Sequence, residues 1–139
     1  QSLRVGWGYG SKKIVDALNV IKPPFNVNGI AQLAASESLK DKTFVIKSVR
    51  HNLLYFKKLK KFLETYNIYS NSVSANFLLL NFDKCKYSAK YLYEKLKNKG
   101  IILRSTEDGY NIKNKLRLTI GNKKENLKFM SEVKKVLKK

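Results

Sequence analysis

Apolar residues recur along this chain with a helical period in three places. Between residues 42 and 66, Val45, Val49, Leu53, Phe56, Leu59 and Leu63 step by four or three, a spacing that gathers side chains into one stripe. It predicts a single long helix over 42–66, capped by Asp41 and long enough to bridge two domains. At the other end, Leu127, Met130, Val133 and Leu137 predict a helix from 122 to the C-terminus. Asn122, followed three residues later by Glu125, resembles a capping box. A third amphipathic stretch, 86–99, turns Tyr91, Leu92 and Leu96 inward and stops at Gly100, where a left-handed C-cap belongs.

Shorter apolar runs read as strands: ANFLLLNF (75–82), IILRS (101–105) and KLRLTI (115–120), with TEDGYNIKN a polar loop between the last two. Residues 3–9 read as a strand or strand end in which Gly6 and Gly8 permit close backbone approach. Two short helices, 11–19 with Ser11 as N-cap and 28–39 rich in Ala, Gly and Ser, flank VIKPPFNVN. The double proline there forbids helix and forces an extended segment. From residue 75 the order β-α-β-β-α implies helices on one side of a small sheet.

Charge narrows the chemistry. The 139 residues suit one domain by length, and with 43% apolar residues they can bury a core. A net charge of +19 raises nucleic acid or an anionic surface as a partner. The lysines are spread along the whole chain and not gathered in one arm, which argues against specific nucleic-acid binding and leaves only non-specific polyanion binding at low salt. Of the 29 cations four are arginine (Arg4, Arg50, Arg104 and Arg117), leaving 25 lysines. In a chain that fills exposed positions with lysine, a retained arginine is informative, because guanidinium is a planar fork that matches oxyanions at two points. Arg50, in KSVRHNL, reads as an ordinary solvated charge. The other three sit in apolar, strand-like or glycine-rich surroundings.

Cys85 is the lone cysteine, so no internal disulfide is possible and a reduced compartment fits. His51 has no second His or Cys at ligand spacing, so neither a metal site nor a Cys–His nucleophile pair is expected. No apolar run reaches the ~18 residues of a membrane span, and QSLRVGWGYG lacks the long apolar segment of a signal peptide. The first residues already read as a buried strand, whereas domain boundaries are usually polar and flexible. The chain is therefore expected to be the C-terminal part of a longer protein.

LRVGWGYG, KPPFNVNGIAQLAA, SANFLLLNF, GIILRS and LRLTIGNKKEN, in that order and over essentially the whole chain, resemble the C-terminal portion of the histidinol-phosphate aminotransferase family, class II, fold-type I enzymes that depend on pyridoxal 5′-phosphate (PLP). The resemblance implies an α/β fold-type I architecture. Residues 1–41 would be the remnant of the large PLP-binding domain, 42–66 the inter-domain helix, and 67–139 a small α+β domain. It implies ping-pong transamination in a cytoplasmic homodimer, with histidinol phosphate and 2-oxoglutarate giving imidazole-acetol phosphate and glutamate. Arg4 would grip the PLP phosphate, Arg117 the substrate α-carboxylate, and Arg104 the far end of the substrate. Lys22 and Asn26, in the proline-rich loop, would reach the partner subunit's site. The family's Schiff-base lysine lies shortly before the phosphate-binding arginine, which places it upstream of Gln1, so no catalytic lysine is assigned in this chain. Residues 1–41 would then lack their neighbouring strands and expose apolar surface.

Three other possibilities stand beside this one. Threonine-phosphate decarboxylases and aromatic aminotransferases share the architecture. A basic RNA-binding sheet domain has a similar element order, but the stacking aromatics are missing and FLLLNF is too apolar for an open sheet face. A catalytically dead scaffold chain is conceivable without the lysine. The bland reading of Arg104 and Arg117 is that they stack on tyrosines or pair with Glu107 and Asp108.

Overall fold

In the computed structural model the described residues are 3–72 and 75–137. They divide into two compact units, Gln1–Ile46 and Lys47–Lys139. The division falls inside a long helix.

The first unit is helical. Helix α1 (Lys12–Ile21) starts after Ser11, which has the extended backbone of an N-cap but makes no side-chain cap bond. It stops at Pro23–Pro24, as the missing N–H and ring sterics demand. Helix α2 (Gly29–Lys40) is capped by Asn28, whose Oδ1 accepts from the Ala31 N–H at 2.8 Å. Helix α3 (Lys42–Glu64) follows after Asp41, whose carboxylate accepts from the Phe44 N–H.

Residues 3–9, expected as a strand, form none: a strand needs a ladder partner, and the described residues supply none there. Arg4 has φ +51°, outside the strand region. Trp7, Tyr9, Val20, Ile21, Phe25 and Leu33 are all exposed, so this unit does present apolar surface.

The second unit holds a four-stranded antiparallel sheet of β1 (Tyr69–Ser70), β2 (Phe77–Asn81), β3 (Arg104–Ser105) and β4 (Lys115–Thr119), in the order β1-β2-β4-β3. Leu78 and Leu80 of β2 and Leu116 and Leu118 of β4 fill one face. Against them pack the C-terminal part of α3, helix α4 (Ala89–Lys97) and helix α6 (Lys123–Val136), through Leu59, Leu63, Leu92, Leu96, Phe129 and Val133. Each buried leucine contributes about 1.5–3 kcal/mol.

Local signals mark several ends. Gly100 has φ +71°, and the Ile101 N–H reaches back to the Leu96 carbonyl at 3.0 Å, the 6→1 bond of a Schellman cap. Asn122 and Glu125 form the reciprocal capping box of α6.

Several expectations need correction. The expected α3 stripe holds only at its C-terminal end: Leu59 and Leu63 are buried and Phe56 partly so, but Val45, Val49 and Leu53 are exposed and Tyr55 is buried instead. Helix α4 is shorter than 86–99 and turns Tyr91 outward. Helix α6 buries Asn126 and Phe129, leaving Leu127 exposed. Two elements were not expected. They are β1, and helix α5 (Glu107–Tyr110) inside the polar loop, which ends at Asn111 in the left-handed conformation. The last two residues of the expected C-terminal helix lie outside the described residues.

Candidate anion-binding site on the small sheet

Ladder register decides where the strand arginines point. Arg104 of β3 is the direct Cα partner of Arg117 of β4. Directly opposed residues project from the same face of a sheet. Leu116 and Leu118, on either side of Arg117, are buried on the core face, so both arginines occupy the opposite one. Leu79 of β2 lies directly across from Arg117 on its other side.

Two like charges facing each other across a ladder are unfavourable, and among the described residues neither makes an ion pair with a carboxylate. The four ion pairs among the described residues each join a lysine to a carboxylate three or four residues away in its own helix, and none involves an arginine. Glu107, a conceivable partner for Arg104, accepts instead from the Asn114 N–H at 3.1 Å. The guanidinium groups meet rings: the Arg117 Cζ lies 4.9 Å from the Phe77 centroid, and the Arg104 Cζ 5.6 Å from that of Tyr110. The Arg117 Nε is buried without a hydrogen-bond partner. Leaving such a donor unmet costs about 1–3 kcal/mol. The face therefore carries two cations without an ion pair among the described residues, an arrangement suited to receiving an oxyanion.

The C-terminal end of β4 is held by residues whose part was not apparent from the sequence. Asn126, buried, accepts from the Gly121 N–H at 3.0 Å and donates to the Gly121 carbonyl at 2.7 Å. The His51 Nε2 lies 2.9 Å from that same carbonyl, so this histidine is a structural partner of the turn. A Cβ added at Gly121 would collide with the Glu125 side chain that closes the capping box.

Arg104 and Arg117 are thus brought together. Arg4, Lys22 and Asn26 belong to the first unit and are exposed, with no hydrogen bond or ion pair joining the three. The Arg4 side chain has no carboxylate partner among the described residues, and an added Cβ at Gly6 or Gly8 meets nothing within 4 Å.

Residues 1–133 match the family model described as aminotransferase class I and II. The chain belongs to that family. Among similar aminotransferases, the histidinol-phosphate aminotransferase of Pelagibacter ubique is 62% identical over 133 residues, covering 96% of this chain and 37% of that protein. The histidinol-phosphate aminotransferase of Campylobacter hominis is 36% identical over 135 residues, 97% of this chain and 36% of that one. The crystal structure of the Clostridium acetobutylicum histidinol-phosphate aminotransferase superposes with a TM-score of 0.80 at 26% identity, over 91% of this chain and 38% of that one. The L-threonine-O-3-phosphate decarboxylase of Porphyromonas gingivalis, at TM-score 0.64 and 19% identity, shares the fold. The chain spans somewhat over a third of the length of these relatives.

Proposed function

We propose that these residues supply the anion grips of a PLP-dependent transaminase exchanging the amino group between histidinol phosphate and 2-oxoglutarate. The observation that carries this is the facing pair Arg104 and Arg117, neither of which makes an ion pair among the described residues. The 62% identity to a histidinol-phosphate aminotransferase supports the choice of substrates. When bound, PLP supplies the electron sink for cleaving a Cα–H bond and carries the amino group between the two half-reactions.

In this proposal Arg4 grips the PLP phosphate with a charge that does not titrate. Arg117 clamps the α-carboxylate of glutamate or 2-oxoglutarate, which fixes the Cα–H bond relative to the cofactor plane, an orientation effect on the barrier. Arg104 takes the distal anion, including the phosphate of histidinol phosphate or of imidazole-acetol phosphate.

The decisive comparison is Arg104→Lys in the PLP-loaded enzyme. KM for histidinol phosphate should rise about ten-fold, with a much smaller rise for glutamate, because a dianionic phosphate uses the two-point fork most fully. Equal losses for both substrates would remove the phosphate assignment.

The enzyme we propose is a cytoplasmic homodimer in which Lys22 and Asn26 reach the partner's site. Among the described residues no helix is long and apolar enough to cross a membrane. Lys22→Ala with Asn26→Ala should raise KM several-fold without changing the sedimentation coefficient of the dimer; a monomeric PLP-loaded enzyme would end that role.

A further inference from the structure

Arginine side chains are held in place by carboxylates or by packing. On the open face of this sheet only packing is available, and both arginines have found a ring. The register explains the first contact. Phe77 is the partner of Thr119, two residues beyond Arg117 on β4, so Phe77 and Arg117 are diagonal neighbours on one face, within reach for an aromatic and a long side chain. The second contact depends on how the segment after β3 is tied down. The buried Thr106 hydroxyl lies 2.8 Å from the Ile112 carbonyl and 3.0 Å from that of Lys115. The Asn114 side chain accepts from the Ala89 N–H at 2.9 Å. Helix α5 between these anchors carries Tyr110 to Arg104.

We infer that Phe77 and Tyr110 are positioning residues that splay the two guanidinium groups, Arg117 toward β2 and Arg104 toward α5, and so set the spacing of the two anion grips. The inference rests on the function proposed above. A carboxylate between the arginines would relieve their repulsion, but it would occupy the donors a ligand needs. A ring attracts guanidinium through its face and leaves the in-plane N–H groups unspent. The Arg117 Nε is buried without a hydrogen-bond partner, so this side chain is held by packing and not by an acceptor at Nε. Splayed forks suit a ligand with an anionic group at each end, whereas forks left to converge would favour one compact anion.

The test is NMR of the arginine Nε–Hε groups in the PLP-loaded enzyme, with 2-oxoglutarate as probe. Before ligand is added, the Hε signals of Arg104 and Arg117 should both lie upfield of free arginine through the ring currents. Phe77→Leu should return only the Arg117 signal to its ordinary position, and Tyr110→Leu only that of Arg104. Phe77→Tyr and Tyr110→Phe should preserve the shifts. On titration each leucine variant should bind 2-oxoglutarate about three-fold more weakly, and the conservative variants as the parent does. Signals that are unshifted in the parent, or unmoved by the leucine changes, would overturn the inference. If a leucine variant fails to fold, the parent spectrum and the aromatic exchanges still decide. Should 2-oxoglutarate move neither arginine signal in the parent, the proposed function fails, while the ring-current result separately reports whether the rings hold the forks.

Discussion

Arg117→Ala is expected to lower kcat/KM for glutamate by about a hundred- to ten-thousand-fold in the PLP-loaded enzyme, with the fold intact. Two charge-assisted hydrogen bonds from one fork, each contributing about 1.5–3 kcal/mol, account for a loss of that size. Arg117 is half-buried and sits between Leu79 and Arg104 on neighbouring strands. Arg117→Lys should recover part of the loss, because it restores the charge but not the fork. Arg50→Ala, at an exposed position on α3, should stay within about two-fold of the parent, since surface substitutions away from special contacts are close to neutral. A loss smaller than three-fold for Arg117→Ala, in a variant with parental circular dichroism, would mean that this side chain does not hold substrate.

The second large effect concerns stability. Leu59→Ala should lower unfolding free energy by about 2–5 kcal/mol, read as a fall in urea midpoint at constant m-value. Leu59 is fully buried among α3, the sheet and the C-terminal helices, so its removal leaves a cavity. Against a total of about 5–15 kcal/mol for an ordinary domain, that is a large share. Val49→Ala, on the same heptad-like stripe but 50% exposed, should cost about 0.5 kcal/mol. Similar losses at both positions would show that the helix docks along its whole length.

Val49 and Leu59 also show how far the one-dimensional pattern reaches. Their spacing correctly marks one helix and one stripe, because both follow from 3.6 residues per turn. Spacing says nothing about which turns of the stripe meet a partner, and here only the C-terminal turns do. The helix ends tell the opposite story. Asp41, Asn122 with Glu125, and Gly100 are all legible, since a cap joins residues a few positions apart and needs no tertiary context. Residues 3–9 differ from expectation for a related reason: a local sequence can suit a strand, but only pairing makes one.

For the site, the informative fact in the sequence was compositional, that a lysine-rich chain keeps arginine in its strands. Together with the quoted family motifs it pointed to Arg4, Arg104 and Arg117 as oxyanion ligands. What it could not contain was the register that sets Arg104 opposite Arg117, or the diagonal that lays Phe77 beneath a guanidinium. A slip of one residue between β3 and β4 would send one arginine to the core face. Local chemistry writes the caps and the choice of fork. The side on which each fork emerges, and the ring that steadies it, depend on hydrogen bonds between segments distant in the chain, and those exist only once the sheet has formed.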